Sequence, residues 1–329
     1  MSDYKPLLNL LDTEIAIKFV KDNFEKELAK TLKLTRVSAP LFVIPESGLN
    51  DNLNGYERAV RFDIKTINTD VEIVQSLAKW KRMALKNYNF PIETGLYTDM
   101  NAIRRDEDLD AIHSVYVDQW DWEKIITKEE RTYKYLKQTV KGIYSVFKKT
   151  AKLVNKKYPN LTFDLPKDIT FISTLELEKK YPTLTRKERE HAIAKEAKAV
   201  FIYQIGWPLK DGKPHDGRAS DYDDWKLNGD ILLWYEPLQI GLELSSMGIR
   251  VDENSLVEQV KQKGEEFKLE NPYCKAVVNK ELPYTIGGGI GQSRLCMYFL
   301  KKVHIGEVQA SVWGEENVKN LAAKGIHLL

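Results

Sequence analysis

Thr285-Ile286-Gly287-Gly288-Gly289-Ile290-Gly291-Gln292-Ser293-Arg294-Leu295 carries glycine at 287, 289 and 291, with an arginine three residues beyond the last. An apolar run over 282–286 leads in. A helical pattern (Arg294, Leu295, Met297, Tyr298, Leu300, Lys301) leads out. Strand, glycines and helix N-terminus in that order predict a place where backbone approaches an anion, because glycine has no Cβ to hold a ligand away. A P-loop requires Gly-Lys-Ser/Thr, and Gly291-Gln292-Ser293 lacks the lysine. The dinucleotide fingerprint needs a glycine where Gln292 stands. Two readings remain: an anion cradle of pattern G-x-G-x-G-x-x-R, or a glycine-rich turn between a strand and a helix.

The 329 residues hold 50 basic and 48 acidic side chains, for a net charge of +2 with no basic tail. That balance disfavours tight, sequence-independent nucleic-acid binding, which calls for a concentrated basic face. A hydrophobic content of 43% suits a globular core. The two cysteines, Cys274 and Cys296, form no disulfide framework, and no pair of the five histidines has zinc spacing. The first thirty residues are rich in Lys, Asp and Glu, unlike a secretory signal. No apolar run reaches membrane-spanning length. A cytoplasmic, soluble protein is the expectation.

Working outward, residues 13–33 predict an amphipathic helix with Ile15, Phe19, Val20, Phe24, Leu28 and Leu32 on one face. Pro40 lies within the extended run 34–44, which suits an edge strand or an interface. Residues 45–55 form a polar loop, followed by a hairpin over 60–65 and 71–74. A helix then begins with Ser76 as its N-cap and with Lys79, Lys81 and Arg82 at its start. Strands over 95–104 and 113–122 flank Arg104-Arg105-Asp106-Glu107-Asp108. On the second of these, Gln119 and Asp121 share one face, and Trp120 and Trp122 the other. An arginine fork matches phosphate oxygens and stays charged at any working pH, so Arg104 is a candidate phosphate ligand. Thr127 to Glu130 reads as a capping box before a helix to about residue 157, and 158–196 as two further helices. A strand over 200–205 precedes a polar loop at 206–220, a candidate mobile cover. Asp216, Asp221, Asp223 and Asp224 cluster there and require a cation nearby. Asp230 and Glu243 fall in two apolar strands, where an unpartnered carboxylate is costly. Two such carboxylates with phosphates would suit Mg²⁺.

Taken together, these stretches resemble class II aminoacyl-tRNA synthetases. Residues 13–44 resemble the first signature, which builds the dimer interface in that family. The Arg104 hairpin resembles the second, whose arginine binds the α-phosphate. G-x-G-x-G-x-x-R resembles the third, whose arginine lies along ATP. Two intervening stretches are similar to aspartyl-tRNA synthetases: Gln75-Ser76 with Lys81, and Glu243-Leu-Ser-Ser-Met-Gly-Ile-Arg250. The first signature starts near residue 13, so no anticodon-reading barrel is expected ahead of it. Such a bare catalytic core resembles the ammonia-dependent asparagine synthetase A family. Stretches carrying this likeness include Asp51-Asn52-Leu53, His113 to Trp122, Tyr222-Asp-Asp-Trp225 and Leu227-Asn-Gly-Asp230. A single lysine separates Trp225 from Leu227, shorter than in some members, which should alter only a surface loop.

The resemblance implies an α+β fold: a mostly antiparallel sheet of six to eight strands flanked by helices. Residues 1–329 would form one catalytic domain that pairs as a homodimer through the Pro40 region. The implied reaction converts L-aspartate, ammonia and ATP to asparagine, AMP and pyrophosphate through β-aspartyl-AMP, with Mg²⁺. Arg104 and Arg294 would bind phosphates, with His113, Ser246 and Gly289 at the nucleotide. Asp230 and Glu243 would hold the metal. Lys81 and Arg250 would hold substrate carboxylates, Asp121 and Asp223 the α-ammonium, with Gln119 and Ser76 beside them. Asp51 would attract ammonium and take its proton. Neither cysteine has a base near it in sequence, so free ammonia is the expected nitrogen source. Two other readings stay open: an enzyme that loads an adenylated amino acid onto tRNA or protein, and a non-catalytic paralogue that binds an amino acid or nucleotide.

Overall fold

The computed structural model describes residues 4–51, 53 and 57–329. Asn52 of the Asp51-Asn52-Leu53 stretch lies outside the described residues. In chain order the elements are α1 (Leu10–Leu32), β1 (Leu34–Arg36), β2 (Phe42–Val43), β3 (Arg61–Ile64), β4 (Thr69–Ile73), α2 (Ala78–Asn87), β5 (Gly95–Ile103) and β6 (Tyr116–Ile125). Then follow α3 (Tyr133–Lys157), β7 (Thr170–Ser173), α4 (Thr174–Lys180), α5 (Arg186–Ala197), β8 (Ala199–Tyr203), β9 (Asp223–Tyr235) and β10 (Ile240–Arg250). The chain closes with α6 (Glu253–Lys263), α7 (Pro272–Val278), β11 (Thr285–Gly291), α8 (Gln292–Leu300) and α9 (Glu315–Ala322).

Eight strands form one sheet in the order β1-β5-β6-β11-β10-β9-β8-β7. Only the two edge pairs, β1 with β5 and β8 with β7, run parallel. The α+β, mostly antiparallel architecture is therefore the one expected, and Pro40 follows an edge strand as proline in a sheet should. β2, β4 and β3 form a separate small sheet.

One sheet face is apolar and carries α1, α3 and α8. Phe24 of α1 stacks on Trp120 of β6 with centroids 5.4 Å apart, and meets Phe147 of α3 edge-on at 5.1 Å. The opposite face carries α4 and α5 over one end, with α2, α6 and α7 towards the other. Gln119, Asp121 and Glu123 point to that side because they alternate with the buried Trp120 and Trp122.

Some expected boundaries move. Ile15 is exposed, so the α1 stripe runs through Ala16, Val20, Phe24, Leu28 and Leu32. The Thr127/Glu130 reciprocal bonds form, yet α3 begins six residues later, behind the Thr132 cap. Leu77 holds the N-cap position of α2, and the Ser76 hydroxyl accepts from the Ala78 N–H at 3.2 Å. β6 starts at Tyr116, leaving His113 in the preceding loop. Among the described residues no helix is long and apolar enough to cross a membrane.

Candidate active site

The glycines do not form a loop. Gly287, Gly289 and Gly291 lie inside β11, directly opposite Glu123, Asp121 and Gln119 of β6. Both sets repeat every second residue, so each polar side chain of β6 lies over a glycine. A Cβ at Gly287 would stand 2.0 Å from Glu123 Oε2, and one at Gly289 would stand 2.3 Å from Gln119 Oε1. The spacing thus makes room for side chains of the neighbouring strand, and the turn reading is corrected: these residues are strand, and Gly289 and Gly291 still border a cavity. Gly289, expected at the nucleotide, borders that cavity beside Gln119 and Asp121. The α8 N-terminus was expected to face a ligand anion. It meets a carboxylate of the chain itself: the Ser293 N–H donates to Asp118 Oδ1 at 3.0 Å.

Above these glycines lies a cavity of about 390 Å³. Ser76, Lys81, Gln119, Asp121, Asp223 and Arg250 wall one end. Lys81 is buried; its ammonium donates to Gly288 O at 3.1 Å and stands 3.3 Å from Asp121. Burial pushes its pKa down, and the Asp121 and Glu123 carboxylates oppose that. Arg250 is buried between two acids. Its Nε and Nη2 donate to Glu123 at 3.0 and 2.7 Å, and its Nη1 to Asp223. Burial pushes the Asp223 carboxyl up against the pull of Arg250. Glu123, fully buried, also accepts from the Thr285 hydroxyl at 2.7 Å. Sequence reasoning missed Glu123, although the alternation that joined Gln119 to Asp121 continues to it.

Lys81, Arg250, Asp121, Glu123 and Asp223 together hold two positive and three negative charges. Each cation is already matched to an acid in a geometry that a zwitterion could enter, carboxylate to cation and ammonium to acid.

At the other end stand Arg104, His113, Glu243, Ser246 and Arg294. Arg104 Nε is buried without a hydrogen-bond partner among the described residues. Among the described residues Arg294 makes only long contacts, to Ile112 O at 3.4 Å and Glu243 O at 3.3 Å. The two guanidiniums therefore keep capacity for a ligand. His113 Nδ1 stands 2.9 Å from Asp110, which leaves Nε2 as its other polar atom. Glu243 and Ser246 both wall the cavity although three residues apart, because a register shift between Glu243 and Ser245 resets the strand's alternation.

Asp230 pairs across the sheet with Ser246, and its partner is one the sequence reading missed, Arg218. Burial pushes Asp230 up to about 7 against the pull of that guanidinium, with Glu243 adding to the rise. Asp230 Oδ1 is buried without a partner among the described residues. A divalent cation fits such a donor pair, taking its remaining ligands from phosphates or water. Among the described residues no group of three or more His, Cys, Asp or Glu gathers for a metal.

Asp51 is not among the residues walling the cavity. It is buried beside Lys79 and Asp221, and its charge acts on Tyr222, which does wall it. Burial pushes Asp51 up to about 6, against the pull of Lys79. The acidic cluster has the cations its sequence demanded: Lys79 for Asp221 at 3.0 Å, Arg131 for Asp224 at 2.9 Å, Arg250 for Asp223 and Arg218 for Asp216. The loop expected as a mobile cover is fastened to α5, by Arg186 to Pro214 O at 2.7 Å and by Glu190 to His215 at 3.1 Å. Both cysteines are buried, and burial pushes their thiols up to about 12.

Comparison with known proteins gives the family and the fold. The sequence profile described as aspartate–ammonia ligase matches residues 11–325. An aspartate–ammonia ligase of Ruminiclostridium cellulolyticum is 63% identical over 99% of this chain and 97% of its own length. One of Fusobacterium nucleatum is 65% identical over 95% of each chain. In fold, the asparaginyl-tRNA synthetase of Pyrococcus horikoshii, solved with asparaginyl-adenylate, is similar with a TM-score of 0.66 at 16% identity, covering 91% of this chain and 68% of its own. The chain belongs to the aspartate–ammonia ligase family.

Proposed function

We propose that the chain amidates L-aspartate with free ammonia in two steps within the one cavity. The observation carrying this reading is that the lining of one cavity holds Arg104 and Arg294, with hydrogen-bonding capacity to spare, together with paired acids and cations suited to an amino acid. In the first step an oxygen of the β-carboxylate bonds to the ATP α-phosphorus, and the bond to the bridging oxygen breaks to release pyrophosphate. In the second, the nitrogen of ammonia bonds to the β-carbonyl carbon, the carbon–oxygen bond to AMP breaks, and the nitrogen loses a proton.

Arg104 and Arg294 neutralise charge around the α-phosphorus, and His113, Ser246 and Gly289 border the nucleotide. Lys81 and Arg250 hold the two carboxylates of aspartate, Asp121 and Asp223 the α-ammonium, and Gln119 and Ser76 complete the wall. Fixing both reactants in this way removes the entropic part of the barrier. A Mg²⁺ held by Asp230 and Glu243 would supply charge neutralisation on the phosphates. Pyrophosphate–ATP exchange that requires aspartate, followed by asparagine, AMP and pyrophosphate when ammonium is added, tests the reading. ADP and phosphate as products would overturn adenylation. Exchange without asparagine would point to tRNA or protein as the acceptor.

Asp51, behind Tyr222, takes the proton that ammonium or the adduct loses. Asp51→Asn is expected to keep exchange within a few-fold and to slow asparagine formation by about 10²-fold or more, the usual weight of a general base. The same variant has a stability signature. A carboxyl raised from 3.8 to about 6 on folding stabilises the fold in its protonated form, and that contribution is lost as pH rises through this window. The wild type should therefore lose stability relative to Asp51→Asn between pH 4 and 6 in thermal melts; parallel curves would remove the buried acid.

The chain is also proposed to work as a cytoplasmic homodimer. Leu10, Leu11 and Ile15 of α1, and Leu41, Phe42 and Ile44 beside Pro40, are exposed, and apolar exposure on this scale marks association. Sedimentation should give twice the chain mass, and Leu11→Glu should shift it towards the monomer; a wild-type monomer at micromolar concentration would refute the pairing.

A further inference from the structure

Arg218 is a buried cation that the two-step reaction above does not use. It sits at the end of the loop that joins β8 to β9, and it walls the same cavity as Arg104, Arg294, Glu243 and Ser246. Its Nη1 donates to Asp216 Oδ2 at 2.7 Å and to Gly217 O at 2.8 Å, and its Nη2 donates to Asp230. Asp230 does not wall the cavity, so the guanidinium stands between that carboxylate and the space a nucleotide would enter.

The backbone at this point is held firmly. The Trp225 indole donates to Ala219 O at 3.1 Å, the Gln259 amide to Ser220 O at 3.0 Å, and Lys263 to Arg218 O at 3.1 Å. The side chain can therefore change partners without the loop leaving its place. Of the two carboxylates it bridges, Asp216 is more than half exposed while Asp230 is almost fully covered. The exposed pairing contributes little. The covered one supplies the only charge compensation that Asp230 has among the described residues, and a buried carboxylate without it is costly.

A guanidinium and a divalent cation are alike in sign. If both approach Asp230 in a covered site, one of them has to leave. The guanidinium is the one with an alternative, because a nucleotide brings phosphate oxygens to the cavity it already walls, and its planar fork suits them. We propose that Arg218 is the resident counter-ion of Asp230 in the nucleotide-free protein and transfers to the β,γ-phosphates of ATP when a divalent cation takes Asp230. This rests on the metal role given to Asp230 above. It makes Arg218 a third phosphate arginine, one that engages only when the cation is present.

The test begins with Mn²⁺ alone, followed by electron paramagnetic resonance of the free ion, on protein without nucleotide or aspartate. Arg218→Ala removes the competing cation and is expected to bind Mn²⁺ on the order of tenfold more tightly than the wild type, the usual size of a site-to-site coupling. Arg218→Lys keeps a charge at the carboxylate and is expected to keep wild-type Mn²⁺ affinity, which also guards against a folding defect in the alanine variant. With Mg²⁺ present, Arg218→Ala should weaken ATP binding by roughly tenfold or more and leave AMP binding within about twofold, because AMP has no β- or γ-phosphate. Asp230→Asn should abolish the effect of Arg218→Ala on Mn²⁺. Unchanged or weaker Mn²⁺ binding in Arg218→Ala, or equal losses of ATP and AMP, overturns the transfer while leaving adenylation intact. Unchanged Mn²⁺ binding in Asp230→Asn overturns both the transfer and the metal assignment beneath it.

Discussion

Replacing Arg294 with alanine is expected to lower aspartate-dependent pyrophosphate–ATP exchange by about 10²- to 10³-fold, the loss seen when a pre-set charge partner of a transition state is removed. The fold should hardly register the change. Arg294 is partly exposed, its nearest carboxylate oxygen is 3.9 Å away, and its two backbone contacts are 3.3 and 3.4 Å long, at or beyond the range of a firm hydrogen bond. The side chain therefore contributes little to stability and keeps its hydrogen-bonding capacity for a ligand. Arg294→Lys should recover only part of the rate, because an ammonium is a point charge and cannot span two phosphate oxygens. Exchange rates read beside melting temperatures decide the matter. Undiminished exchange in Arg294→Ala would remove the residue from the phosphate site, and a large fall in melting temperature would reassign it to structure.

How much of this could be read in the residues depended on whether the reason for a residue was local. Alternation on β6 is local, and it placed Gln119 and Asp121 on one face and the tryptophans on the other. The paired arginines, Arg104 and Arg294, were legible because each follows or precedes a strand in a recognisable pattern. The glycines were not legible as a strand. Glycine runs ordinarily mark loops, and the reason for these lies in side chains more than 160 residues away in sequence, on β6. Lys79 and Lys81 look like a solvated helix start, yet Lys79 meets an acid 142 positions on and Lys81 a carbonyl 207 positions on. Arg218 was hidden for a related reason. A polar loop invites a reading as a cover, and nothing near Arg218 in sequence announces Asp230 as its partner. Motif order carries the likeness to the aspartate–ammonia ligase family, whereas the pairing of Arg218 with Asp230 appears only when the sheet is assembled.

The charge pattern around Glu123 shows why this residue should matter as much as the residues that face the substrate. Glu123→Ala removes the two-point acceptor of Arg250 and the acceptor of the Thr285 hydroxyl in one change. It also opens a void, because Gly287 opposite has no side chain to fill the space. Breaking one side of a buried ion pair costs about 3–5 kcal/mol, so urea unfolding should show a loss of that order. Glu123→Gln keeps the shape and one acceptor, and should fold with a smaller loss. Its informative property is pH dependence. Lys81 must be protonated to hold a carboxylate, and burial already pushes its pKa down, with Asp121 and Glu123 among the charges that resist. Taking away the Glu123 charge lowers the Lys81 pKa further, so the alkaline limit of aspartate binding should move to lower pH. A merely structural glutamate would weaken binding equally at all pH values. Aspartate titrations of Glu123→Gln across pH 7 to 10 separate the two, and an unmoved alkaline limit would confine Glu123 to holding Arg250.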